Sequence, residues 1–255
     1  MTPLIRTTYL TFIYILLYLP IGVLITYSFN DARFSLLWHH FSLNWYRELL
    51  HDHDLWIAFF HSLILGVTSS LTACIMGFFS CSHLFLTHRG KAGFIQHVLL
   101  LLIIIPDLIF GVALLVFFNL INIPPGFLSL FIAHVTFCLP FVMITIKGRM
   151  ETLDINLFYS AVDLGASYHK TLTRIILPLL WPAILSAFLL GFTLSLDDVM
   201  ISYFVAGPEF NILPLTIYSL VRAGVTPELN ALCSLTFLLS MTTVLVAHAI
   251  SRKKP

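Results

Sequence analysis

Long, unbroken apolar runs limit this chain more than any other feature. Residues 9–29, 56–83, 97–120, 127–146, 179–204 and 229–250 each hold a stretch with few or no charges. A helix needs about 20 such residues to cross a hydrocarbon layer of about 30 Å. The runs are continuous rather than alternating, which excludes the strands of a membrane barrel. The spacing therefore predicts an all-α integral membrane protein with six transmembrane helices. Composition agrees: charged residues make up 10% of the chain, against about 25% in soluble domains. Mean hydropathy is +0.97. A net charge of +1 gives nucleic acid nothing to bind, so none is expected as a partner; the partner the composition calls for is a lipid bilayer. Arg6 precedes the first run. That run is longer than the apolar core of a signal peptide and has no small-residue cleavage site after it, so a retained helix is expected.

Lys and Arg placement sets the expected orientation. With the N-terminus in the cytoplasm, Arg6, Arg89, Lys91, Lys147, Arg149, Lys170, Arg174, Arg252, Lys253 and Lys254 all fall inside. Only Arg33, Arg47 and Arg222 fall outside. Both termini are thus expected in the cytoplasm, with the chain a multi-pass membrane protein. No repeat, low-complexity tract or linker divides it, so residues 1–255 read as a single transmembrane domain. Cys74, Cys81, Cys138 and Cys233 lie in or beside apolar runs with no CxxC pair; they read as small buried hydrophobes rather than a disulfide framework. His39, His40, His51 and His53 share the first outer loop with Asp52 and Asp54. Their spacing matches no metal motif, and no metal site is expected.

The inner segment at about 147–178 is the least apolar of its kind and reads as more than a connector. At its centre stand Tyr159, Ser160, Ala161, Val162, Asp163, Leu164, Gly165, Ala166 and Ser167. Small residues allow another surface to approach, and Gly165 can take a positive φ at little cost. Arg174, Ile175, Ile176, Leu177 and Pro178 follow, with Pro178 suited to a first helical turn. The pattern predicts two short helices joined by a turn.

This segment resembles the EAA motif of ABC importer permeases, E-A-A-x3-G-x9-I-x-L-P. Ala161, Gly165, Ile175, Leu177 and Pro178 match it; Tyr159 stands where the family has Glu, and Ser160 where it has Ala. Further stretches extend the likeness over nearly the whole chain: 191–199, 207–208, 212–215, 217–219 and 230–232, with 28–30, 106–107 and 134–141. These are similar to the spermidine/putrescine branch of such permeases. The resemblance implies the type I (MetI-like) importer fold, with a coupling segment over about 147–178 that docks on a cytoplasmic ATPase. It implies a second homologous permease subunit, an ATPase dimer and an extracytoplasmic polyamine-binding protein as partners. The chain has no G-x-x-x-x-G-K-[ST] loop of its own. It is therefore expected to be a transport subunit rather than an enzyme, with no bound cofactor; ATP and Mg belong on the partner.

Asp107, Asp197 and Asp198 lie in or at the edge of apolar runs. A carboxylate at a span's centre costs about 2.5–3.5 kcal/mol on insertion scales, so something must offset it. The expected role is to line the path of a cationic cargo. Capping of interrupted helices, or bonding across a permease pair, is the other reading, and Pro106 before Asp107 favours an interruption there. Another cation or an oxyanion carried by the same architecture stays open, as does, more remotely, an ion-coupled secondary transporter. An intramembrane enzyme needs a nucleophile and a base within reach, which neighbours in the sequence do not supply.

Overall fold

In a computed structural model, which describes residues 3–31, 37–87, 92–224 and 226–252, the chain is helical. In chain order the helices are α1 (Pro3–Tyr27), α2 (Asn44–His51), α3 (His53–Thr87), α4 (Ala92–Ile104), α5 (Asp107–Leu120), α6 (Phe127–Met150), α7 (Asn156–Asp163), α8 (Tyr168–Thr171), α9 (Leu177–Asp197), α10 (Met200–Val205), α11 (Leu213–Ala223) and α12 (Pro227–Arg252). A π turn at Leu172–Ile176 joins α8 to α9.

At least four stretches are long and apolar enough to span a membrane: Arg6–Tyr27, His53–Leu86, Phe127–Met150 and Tyr168–Asp197. A bent pair, His97–Ile104 with Asp107–Leu120, makes a fifth candidate, its halves turned 103° to each other. The bend falls at Pro106, which has extended backbone (φ −57°, ψ 135°); proline lacks the N–H that would continue the helix. The run expected to be one helix over 179–204 differs at both ends. It starts earlier, because the π turn carries the helix through Pro178: the Leu177 N–H reaches back to the Leu172 carbonyl, shifting the ladder ahead of the proline. Pro178 therefore lies inside a continuous helical run instead of starting one. It also ends earlier, at Asp197, with α10 a separate turn and a half beyond.

Contacts divide the chain into two units, one built on Met1–Trp56 and Thr216–His248, the other on Ile57–Leu215. In the first, the turn after α1 is tied by polar groups. Asn30 is buried; its Nδ2 donates to the Leu37 carbonyl and its Oδ1 accepts from the His39 N–H. Trp45 Nε1 donates to the Asn30 carbonyl at 2.7 Å, and the Phe29 ring stacks on Phe41 and Tyr46. These contacts engage Phe41, Trp45 and Tyr46 of the segment between α1 and α3.

In the second unit α6 packs along α9, and α5 against α10. Lipid is as apolar as leucine, so close fit drives this packing more than escape from water. Small residues make the fit possible. A methyl on Gly77 would lie 2.9 Å from Val142, and one on Gly191 would lie 3.3 Å from Ser70. Cys81 and Cys138 lie in the same interior, their thiols donating to the Met143 and Gly191 carbonyls; all four cysteines are free.

Candidate functional site

The segment after α6 forms the two short helices its sequence predicts. Asp154 accepts from the Asn156 N–H and starts α7. The helix stops at Gly165, whose φ is +83°. Its N–H bonds the Val162 carbonyl at 2.8 Å, and the Ala166 N–H bonds the Ala161 carbonyl at 3.0 Å. That paired pattern is a Schellman stop, which needs a left-handed residue where Gly165 stands. Ser167 then caps α8, its hydroxyl accepting from the Lys170 N–H. The Phe158 ring meets Tyr168 edge-on and ties the two helices together. Ala161 is buried against this hairpin, while Ser160 is exposed. Leu157, Tyr159, Val162, Leu164 and Tyr168 are exposed on the hairpin, Leu164 at 89%. Ile175 and Leu177 are half-buried, and Pro178 is exposed on the helix that follows.

The three aspartates lie at two helix breaks. Asp107 is the first residue of α5 and is exposed. Asp197, also exposed, ends α9. Asp198 is buried in the break itself and turned into the protein. Its Oδ1 accepts from the Ile201 N–H at 3.1 Å, and its Oδ2 from the Ser202 N–H and hydroxyl, both at 2.8 Å. It thus satisfies donors that the first turn of α10 would otherwise leave unpaired inside a membrane protein. The helices that follow the two breaks pack closely: a methyl on Gly111 of α5 would lie 3.1 Å from the Ile201 Cα of α10. At its far end α10 is held by Ser129, whose hydroxyl donates to the Val205 carbonyl at 2.8 Å. Gly207 follows, so close to the Pro125 carbonyl that any side chain would collide with it.

Beside Asp198 lies a residue to which the sequence alone gave no role. His134 of α6 is fully buried. Its Nδ1 is 2.7 Å from the Ser195 hydroxyl and its Nε2 2.9 Å from the Ser202 hydroxyl. Ser195 continues more weakly to Ser69 on α3, at 3.4 Å. Since Ser202 gives its one proton to Asp198, its oxygen accepts from His134 Nε2–H, and Nδ1 of a neutral ring accepts from Ser195. Histidine, serine and aspartate are within reach, yet they are connected as a scaffold. Asp198 is paired to the serine rather than to the ring's second nitrogen, and neither Ser202 nor His134 meets solvent. A catalytic base would orient through that second nitrogen and face a substrate. Polar residues at 195, 198 and 202 share one face of a helical register. That stripe within an apolar run was the available signal.

Residues 84–254 match the family model described as binding-protein-dependent transport system inner membrane component. The match includes the α7–α8 hairpin, His134 and all three aspartates. The chain belongs to that family. It is 42% identical over 252 residues to the spermidine/putrescine transport system permease protein PotC of Escherichia coli strain K12, covering 98% of this chain and 95% of that one. The PotC of Haemophilus influenzae is 43% identical over 249 residues, with 97% and 96% covered. The putrescine transport system permease protein PotI of Escherichia coli strain K12 is 40% identical over 227 residues, with 86% and 80% covered. Among solved structures, a bacterial ABC transporter that imports the acidic polysaccharide alginate gives a TM-score of 0.73 at 16% identity, over 98% of this chain and 95% of that one. The MetNI methionine ABC transporter gives 0.65 at 16% identity, over 79% and 97%. At that identity the likeness is one of fold: this is an all-helical permease of the ABC importer type, and its family is a transport component of the inner membrane.

Proposed function

We propose that the chain is a permease subunit of an ATP-driven importer that carries polyamines of the spermidine and putrescine class into the cytoplasm. The observation that carries this is the 42% identity to a spermidine/putrescine permease across 98% of the chain. Six crossings follow if α4 and α5 form one interrupted span and α12 another, and the Lys and Arg distribution puts both termini in the cytoplasm. The whole chain then acts as a single transmembrane domain. A second homologous permease, an ATPase dimer and an extracytoplasmic binding protein complete the machine. ATP and Mg belong to the ATPase, and this chain holds no cofactor.

Coupling runs through the α7–α8 hairpin. Tyr159, Ser160, Ala161 and Gly165 form the part that meets the ATPase; Ile175, Leu177 and Pro178 pass its movement into α9. Exposed apolar and aromatic side chains on a glycine-stopped hairpin suit docking into a groove. Asp107, Asp197 and Asp198 belong to the cargo path. Exposed carboxylates at Asp107 and Asp197 offer the ammonium groups a counter-charge, while Asp198 shapes the wall by holding the break. ATP binding shifts the permease toward an outward-open state, the binding protein delivers cargo, and hydrolysis resets it.

Radiolabelled spermidine uptake tests the reading, in cells with the whole importer and no other route for polyamines. Loss of ATP-dependent uptake on deleting this subunit, restored by the intact chain, is the expected result. Unchanged uptake would remove polyamines as the cargo.

A further inference from the structure

The elbow between α9 and α10 carries Asp197 on its rim, and one side chain from another helix straddles it. Ser195 lies one turn before the break and Ser202 just after it. The His134 ring reaches both, 2.7 Å on one edge and 2.9 Å on the other. Ser202 passes the connection to Asp198, which holds the first N–H groups of α10. With a neutral ring, Nε2–H donates to Ser202 and Nδ1 accepts from Ser195, so both polar atoms of the ring are paired inside the protein. Through Ile201, the elbow also bears on Gly111 of α5, the helix that begins with Asp107.

We propose that His134 is a positioning residue for transport: bonded to Ser195 and Ser202, it fixes the α9–α10 elbow and so sets where the Asp197 carboxylate stands in the cargo path. The proposal rests on the polyamine-permease reading above. It assigns His134 no contact with cargo. Its effect reaches the cargo through the backbone of the elbow.

The test uses the whole importer in proteoliposomes, with its binding protein, and reads spermidine moved per ATP hydrolysed. A loss of assembled complex leaves that ratio unchanged, so a merely structural role would not move it. His134→Phe keeps a ring of similar size without polar atoms. It removes both buried hydrogen bonds and should lower the ratio about tenfold, at about threefold for each bond, with hydrolysis retained. His134→Gln, which keeps a donor for Ser202, should lower it about threefold. Asp197→Asn should lower it as well, and the double variant His134→Phe/Asp197→Asn should fall no further than the worse single change, because both act at one carboxylate. Amide exchange at Ile201 and Ser202 should quicken in His134→Phe, whatever the cargo.

An unchanged ratio in assembled His134→Phe would overturn the proposal, and so would effects that multiply in the double variant. Should His134→Phe fail to assemble, His134→Gln decides by the same ratio. If the unaltered importer moves no spermidine, the polyamine reading fails instead. Amide exchange then decides the elbow: unchanged exchange at Ile201 and Ser202 refutes His134's hold on it, and faster exchange upholds that hold.

Discussion

Two interruptions in the helical run of this protein are built in opposite ways. Between α7 and α8 the backbone makes the stop: Gly165 takes φ +83° and paired N–H groups close it, while most side chains around it are exposed. Between α9 and α10 the backbone stays in ordinary conformations, and side chains do the closing, with Asp198, Ser202, Ser195 and His134 all buried. An exposed turn can leave its remaining polar groups to water and spend its surface on a partner. A buried break must satisfy every donor internally, because an unpaired amide in an apolar interior costs about 1–3 kcal/mol. The first design leaves side chains exposed; the second pairs them inside.

That contrast breaks most readily at Asp198. Replacing it with Ala strips the acceptor from two buried N–H groups and a hydroxyl. The expected loss is on the order of 3 kcal/mol, read as a lower melting temperature of the purified complex. A loss below about 1 kcal/mol would mean that packing alone holds the elbow. Next in size is Gly207→Ala, which drives a methyl into the Pro125 carbonyl just past α10. Overpacking of this kind costs about 1–3 kcal/mol, and thermal unfolding of the same complex would report it. Gly165→Ala meets no neighbour but is strained by the left-handed backbone, at about 1–2 kcal/mol. Gly165→Asn should cost less, since asparagine tolerates that region; equal costs would argue against the glycine stop. Tyr159→Ala sharpens the comparison from the other side. The residue is 52% exposed, so stability should move by less than about 0.5 kcal/mol. ATP-dependent uptake should nevertheless fall, and unchanged uptake would remove Tyr159 from the docking face.

The α7–α8 hairpin was readable because its cause is local. A glycine among small residues, followed by Ile175, Leu177 and Pro178, describes the turn within one stretch of chain. The bend at Pro106 was readable for the same reason. The break at Asp198 was not. Residues 179–204 form one largely apolar run with no proline or glycine at the break, and only an aspartate pair and a sparse polar stripe mark it. His134 was harder still, since its partners lie 61 and 68 residues further on. Read alone, it is one polar residue in an apolar helix.

What the sequence by itself determined is everything that depends on the solvent and on the nearest few residues. Apolar runs long enough to cross a bilayer make the chain a helical membrane protein, and Gly165 sets where α7 stops. Only the tertiary structure decided how the buried polar groups pair, and with that where α9 ends and which aspartates face outward. Hydropathy adds up residue by residue along the chain. Hydrogen bonding in an apolar interior is settled between distant segments, because each buried donor must find an acceptor wherever the fold brings one.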